Sequence, residues 1–254
     1  MSSGALAVAA RDIKSSFVTP VAYVVMAGFL LLSGFFFFSL LQEFNPMSEQ
    51  AALFHELTPN LNEWVVTPFF LVLQVILIFL VPLLTMRSIA EEKHNGTFEM
   101  LATSPLSVGA IVLGKAIAAA FVIFVMLLLA FIFPLVLICY TDVEPMPIVV
   151  GFFGLLLFAW SFASLGIAVS SFTKSQTVAG VISLVLLLVL YSADAPAPQV
   201  GGGAGKFLQY LAPTTHTQLL LKGVVEGGDL IYFATVILTG LFIANRVLDA
   251  QRWR

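Results

Sequence analysis

The sequence predicts an all-α integral membrane protein of six transmembrane helices with both termini in the cytoplasm. Three observations carry that prediction. Of 254 residues, 60% are hydrophobic and only 10% charged, whereas a soluble domain carries roughly 25% charged residues. The apolar residues gather into six runs, and a helix crosses a bilayer with about 20 of them. The cations then divide by side. Arg11, Lys14, Arg87, Lys93, Lys115, Lys174, Arg246, Arg252 and Arg254 fall with the termini and only Lys206 and Lys222 opposite, nine against two. Cytoplasmic segments hold that kind of excess. The opposite face is acidic, with nine of the fourteen carboxylates. A net charge of −3, ordered by the membrane in this way, gives no reason to expect nucleic acid as a partner.

Each element follows in order. Met1–Thr19 alternates Ala5, Leu6, Val8, Ala9 and Ile13 with Arg11, Asp12 and Lys14, the pattern of an interfacial helix with one apolar and one basic face. Pro20 opens span one, Val21–Leu41, which holds no charge. This run is too long for a signal core and no small-residue cleavage site follows, so no cleavable signal peptide is expected. The outer segment 42–67 carries Glu43, Glu49, Glu56 and Glu63 without a cation, and Leu53, Leu57 and Leu61 predict a short amphipathic helix broken at Pro59. Span two is Pro68–Met86. Span three, Ala110–Tyr140, contains Pro134 and is expected to kink there. An acidic turn, Thr141–Pro147, leads to span four, Ile148–Phe172.

In span four Ala159, Ala163, Gly166 and Ser170 recur at helical spacing. Small residues on one face let membrane helices approach closely, so the stripe is either a subunit or moving interface or ordinary packing within the chain. A short inner turn around Lys174 precedes span five, Thr177–Tyr191, the shortest. The outer segment 192–228 begins with Ala-Pro alternation and three glycines, read as a flexible connector over Ala193–Gly205. It continues with a helix start at Thr215 and Gln218, a capping box, where His216 is expected to be solvated or cap-adjacent. Span six is Leu230–Val247.

Chemistry can be excluded before it is assigned. The interiors of the six spans hold no Asp, Glu, Lys or Arg, Lys115 and Arg246 counting with the inner ends, and carriers coupled to protons or ions generally need such groups. Gln74 is the clearest polar side chain there, explained by a hydrogen bond between helices. Gly109–Lys115, GAIVLGK, fits the first seven positions of a phosphate-binding loop, but Ala116 stands where a Ser or Thr must hold magnesium and no strand precedes it. Glu91 and His94 make a single Glu-x-x-His, whereas a dinuclear site needs that motif twice with two further carboxylates. Cys139 is the only cysteine, so no intramolecular disulfide forms. No Ser–His pair offers a nucleophile. Any energy for transport therefore comes from outside this chain.

The polar stretch that remains is Arg87–Lys115. Asn95-Gly96 is a helix stop, Thr97 can cap a short helix Phe98–Thr103, and Ser104-Pro105 ends it. By spacing this is either a cytosolic object that a partner grips or a polar loop. Here the residues carry a resemblance. Arg11–Pro20 with Val21-Ala22-Tyr23, the stretch Pro82–Lys115, and Gly223–Trp253 resemble the type-2 ABC transporter permeases. They are closest to the gliding-motility permease branch, with the nitrous-oxide-reductase maturation permease more distant. The most specific part is Ala90–Pro105, AEEKHNGTFEMLATSP, where Met100 replaces the commoner Leu. The connector Ala193–Gly205 is less typical of the family.

The resemblance implies a type-2 ABC exporter permease fold in a bacterial inner membrane. A cytoplasmic interfacial helix (1–19) precedes a permease domain (20–254), whose coupling segment is 87–107. It further implies a second permease copy or homologous permease and a cytosolic ABC ATPase dimer, which holds the ATP and Mg while this chain holds no cofactor. Glu91, Glu92, Lys93, Gly96, Thr97, Phe98 and Glu99 match the coupling motif and are the candidates for ATPase contact. ATP-driven motion would pass through them to spans two and three and open a path for export. The alternative is a membrane subunit that passes ATP-driven motion to an envelope or motility machine, docked on segments 42–67 and 192–228, without moving a solute.

Overall fold

Proline sets the start of several helices, because its fixed φ and missing N–H suit the first helical turn. Pro20, Pro145 and Pro213 each open one. The computed structural model describes residues 2–54, 59–97, 107–141 and 143–252. The helices are α1 (Ser2–Val18), α2 (Pro20–Leu53), α3 (Thr67–Thr85, preceded by a π turn at Asn62–Val66), α4 (Ala90–His94), α5 (Val108–Ala130) and α6 (Ile132–Tyr140). They continue with α7 (Pro145–Phe172), α8 (Gln176–Tyr191), α9 (Ala197–Val200), α10 (Gly202–Leu211), α11 (Pro213–Leu221) and α12 (Gly227–Arg252). Among the described residues there is no strand.

The bundle is organised around α7, which is buried along nearly its whole length and is flanked by α3, α5, α8, α11 and α12. Its small residues permit this. Two of its serines satisfy their hydroxyls on the helix itself, Ser161 to the Phe158 carbonyl (2.7 Å) and Ser164 to the Ser161 carbonyl (2.7 Å), so neither depends on a neighbour for a partner. Around it lies one core with Phe29, Phe37, Phe69, Phe70, Phe158, Phe162 and Phe233 buried. Phe37 meets Phe69 edge-on at 5.2 Å between ring centroids.

Among the described residues, five stretches are long and apolar enough to cross a membrane: α2, the α3 stretch, α5 with α6, α7, and α12. The sixth expected span, α8, has 16 residues and rises only about 24 Å, short of a hydrocarbon core of about 30 Å. Its end, Tyr191, lies beside Phe158, halfway along α7 (6.4 Å between rings). The remaining depth is filled by α11, which places Leu220 against Gly154 and Gly223 against Pro147.

Several expectations are corrected. Span one does not stop at Leu41. The helix runs 34 residues to Leu53 with Pro46 inside it, about 51 Å, because Leu40, Leu41 and Phe44 still pack on the core. Of the amphipathic helix expected over Leu53, Leu57 and Leu61, Leu53 is the last residue of α2 and Leu61 precedes the π turn, while residues 55–58 lie outside the described residues. The connector Ala193–Gly205 is not loose. It folds into α9 and α10, joined by a corner in which Gly201 and Gly202 have φ of 63° and 58°, a region glycine reaches without strain. The capping box is not formed, since α11 starts at Pro213 after Ala212 with no side-chain cap. His216 is neither solvated nor at a cap. It is 7% exposed and lies 2.7 Å from Asp229, because the chain reverses after α11 and brings the first turn of α12 against it. Gln74 is fully buried with neither amide atom hydrogen-bonded. Among the described residues the expected helix–helix bond is absent. The kink of span three falls one turn before Pro134. The helix breaks at Phe131, where Pro134 offers no N–H to the Ala130 carbonyl.

Candidate functional site: the α4 handle and its seat

A helix of five residues, as α4 is, does not hold itself together in water, since its single turn costs more backbone entropy than it returns. It is fixed from outside. Its opening residues have no side-chain cap of their own. Ser170 of α7 fills that role: its Oγ accepts from the backbone N–H of Ile89 (3.1 Å) and of Ala90 (3.0 Å) and donates to the Met86 carbonyl (3.1 Å). The hydroxyl comes from 81 residues away in sequence. At its other end, α4 is tied by Lys93, which donates to the carbonyl of Ser171.

A second tie is ionic. Glu92 Oε1 lies 2.8 Å from the Arg11 guanidinium of α1 and 2.9 Å from Lys115 Nζ of α5. Asp12 closes the set, 2.9 Å from Arg11 and 3.2 Å from Lys115. Two cations and two carboxylates thus bind α1, α4 and α5 with no net charge. Lys115 is only 3% exposed, so removing its partners from around it leaves a charge with little water. Burial works against the charge of Arg11, but Asp12 and Glu92 outweigh it and hold the guanidinium above its ordinary value. Beside these groups opens a cavity of about 470 Å³, polar at Ser15, Arg87, Glu91 and Asn95 and apolar at Val25, Leu84 and Val122.

The N-terminal helix is therefore not merely interfacial. Its apolar side, Ala5, Val8 and Ala9, is buried and closes over Gly114 of α5. Its charged turn grips α4.

The candidate contact residues divide into two groups. Glu92 and Lys93 are engaged within the chain. Gly96 and Thr97 are exposed, and Glu91 is half-buried on the cavity wall. The expected helix stop is present: α4 ends at Asn95 (φ −82°) and Gly96 takes φ 71°. Open space surrounds Gly96, so glycine is required there by the backbone angle. Thr97 sends its hydroxyl back to the Glu92 carbonyl (3.3 Å). Phe98, Glu99 and the short helix Phe98–Thr103 lie outside the described residues. The following helix α5 is capped by Ser107, whose Oγ accepts from the Ala110 N–H (3.3 Å).

The small-residue stripe lies inside the chain. Ala159 and Ala163 are buried in the core, Gly166 receives Thr85 of α3 so closely that a Cβ would overlap its hydroxyl, and Ser170 supports α4. The stripe is thus the surface on which α3 and the α3–α4 turn rest. Sequence reasoning missed Ser170 as a cap and Arg11, Asp12 and Lys115 as the ionic tie. A residue pair 81 positions apart leaves no local signal, and Lys115 drew attention as one of the inner cations and through an incomplete phosphate-loop pattern.

Among the described residues no group of three His, Cys, Asp or Glu is arranged to hold a metal. The fold and this seat define a multi-pass helical membrane protein with a short polar handle braced on three helices at one end. Against family models, the chain matches the ABC-2 family transporter protein over residues 6–246, and it belongs to that family. Its members are membrane subunits of ABC transporters, which implies partnership with an ABC ATPase. No curated protein matches the chain.

Proposed function

We propose that this chain is the permease subunit of an ATP-binding-cassette exporter in a bacterial inner membrane. Two permeases would pair with two cytosolic ATPase subunits, which bind ATP and Mg. The observation that carries the reading is the handle itself. Exposed Gly96 and Thr97 sit at the tip of α4, and α4 is braced on α7 by Ser170 and on α1 and α5 by Glu92. A push on the tip is therefore delivered to α3, α7, α5 and α1 together. Family membership across residues 6–246 supports the same assignment. The nine-to-two division of cations supports cytoplasmic termini, which puts the handle on the side where an ATPase resides. Segment 87–107 is then the coupling segment, with Glu91, Gly96, Thr97, Phe98 and Glu99 toward the ATPase and Glu92 and Lys93 holding it in place. Proximity to the gliding-motility branch rests on the resemblance of Arg11–Tyr23, Pro82–Lys115 and Gly223–Trp253, and the Phe-rich apolar interior (24 Phe in the chain) favours an amphipathic or lipid-like cargo.

The test is purification of the tagged chain in mild detergent, with mass spectrometry of its partners. A stoichiometric P-loop ATPase, lost in Gly96→Pro and retained in a distant control such as Lys206→Ala, is expected. Purification without an ATPase under gentle conditions overturns the assignment. A large envelope protein in the same complex, with ATPase activity stimulated by it and by no lipid, peptide or ion, redirects the reading to force transmission.

A further inference from the structure

At the end of the bundle opposite α4, two ionisable side chains are buried together. His216 on α11 is 7% exposed and Asp229 in the first turn of α12 is 6% exposed. His216 Nδ1 lies 2.7 Å from Asp229 Oδ1, and Nε2 lies 3.0 Å from the backbone carbonyl oxygen of Tyr210 on α10. Both ring nitrogens thus face oxygens that accept when the carboxyl is ionised, and the carbonyl can only accept. A neutral imidazole has one N–H and one lone pair. Set against an ionised carboxylate, it makes one hydrogen bond and leaves the other contact as two lone pairs. Both contacts become hydrogen bonds only when the pair carries one more proton. Either an imidazolium donates to both oxygens, or a protonated Asp229 donates to Nδ1 while Nε2–H donates to Tyr210.

The surroundings offer no other way to satisfy the pair. Asp229 Oδ2 is buried without a hydrogen-bond partner among the described residues. From α12, Tyr232 stacks on the imidazole (3.9 Å, 16°) and spends its hydroxyl on the Leu211 carbonyl (2.7 Å). From α10, Tyr210 presents its ring edge to His216 at 5.0 Å. Asp194, on the turn after α8, is taken by the Thr214 hydroxyl (2.8 Å). Lys222 and Glu226, on the connection between α11 and α12, are exposed, and α7 contributes no ionisable side chain.

We infer that the His216–Asp229 pair is a proton-binding site, and that its proton fastens the α10–α11 corner to the first turn of α12. The balance is simple: one proton bound adds one hydrogen bond, and its release to solvent removes one. Fastening is present at low pH and lost as pH rises through the apparent titration of the pair, which belongs to both residues jointly. The corner fastened in this way fills the depth beside α7 that α8 is too short to reach, so its release loosens the bundle at that end.

The test uses the full chain in lipid nanodiscs or proteoliposomes. With His216 as the only histidine (His55→Gln, His94→Gln) and 15N-labelled imidazole, nitrogen spectra are recorded from pH 5 to 9. At the low end either both ring nitrogens carry protons, or Nε2 does while Nδ1 shows the shift of an acceptor from a carboxylic acid. Each result supports the inference, and a change of state is expected at higher pH. Hydrogen exchange of residues 207–221 in the native chain, corrected for the intrinsic pH dependence, is expected to rise at least about tenfold over that change. In Asp229→Asn, whose amide N–H can donate to Nδ1 of a neutral ring while Nε2–H donates to the Tyr210 carbonyl, both contacts are hydrogen bonds without an added proton, and the pH dependence of that exchange should vanish. A neutral ring with an unprotonated, unbonded nitrogen throughout, and exchange in 207–221 independent of pH, overturns the inference. The spectra and exchange of chains retaining both His216 and Asp229 decide the matter even if the Asp229 variant does not fold.

Discussion

Ser170→Ala isolates the contact on which the handle depends. The hydroxyl is fully buried and serves three backbone groups: two N–H donors at the start of α4 and the Met86 carbonyl. Alanine removes the oxygen without adding bulk, and buried α4 residues Ile89 and Ala90 (both 0% exposed) keep water from replacing it. Loss of a helix cap costs about 1 kcal/mol and a buried unpaired group about 1–3 kcal/mol. Because one oxygen served both N–H groups, roughly 2 kcal/mol is the expected total, a factor of about 30 in the seated-to-released ratio of α4. Hydrogen exchange over residues 86–95 should accelerate by about that factor, while the core of α7 is unaffected. The adjacent Ser171→Ala is the control, since among the described residues that hydroxyl bonds only to the Ala168 carbonyl of its own helix (2.6 Å). If Ser170→Ala leaves exchange of 86–95 within about threefold of the native chain, α4 is not held by this cap and the bracing argument fails.

Four further outcomes follow from the same geometry. Lys115→Met should lower thermal stability in detergent by on the order of 3 kcal/mol, and adding Glu92→Gln should cost less than the sum of the single changes; strict additivity would mean that the pair at 2.9 Å contributes nothing. Gly96→Ala should strain the left-handed turn by about 1–2 kcal/mol and weaken ATPase co-purification, and Gly96→Pro should abolish it; normal binding by the proline variant would show that φ 71° is dispensable. Gly166→Val should destabilise by about 1–3 kcal/mol through collision with Thr85, read as a lower melting temperature, and Thr85→Ala in the same chain should recover part of it. Gln74→Leu, which removes a buried amide with no partner, should be neutral or stabilising by about 1 kcal/mol; a clear loss of stability would reveal a hydrogen bond that Gln74 does make.

The sequence by itself determined the membrane class, the helical composition, the central stretches of the spans and the position of the polar handle. These depend on local quantities: the length of an apolar run, the absence of charge, a proline at a helix start, and a glycine at a helix stop. Gly96 was legible for that reason, whereas the candidate status of Glu91 and Thr97 came from the resemblance of Ala90–Pro105. The tertiary structure alone decided what those residues touch. Glu92 and Lys93 share the motif with Glu91, yet they turn inward to Lys115 and Ser171 because α1, α5 and α7 happen to converge there. Ser170 looked like one more small residue for close packing, and became the cap of a helix 81 positions earlier. His216 looked like a surface histidine until the reversal after α11 carried Asp229 against it. The same convergence explains why α8 can be short, since α7 supplies its wall, whereas the glycine-rich connector is ordered by α9 packing on α10, with Gly205 against the Ala197 carbonyl. Hydrogen bonds and ion pairs of this kind join residues distant in the chain, so no window of sequence contains both partners, and only the packed bundle brings them within bonding distance.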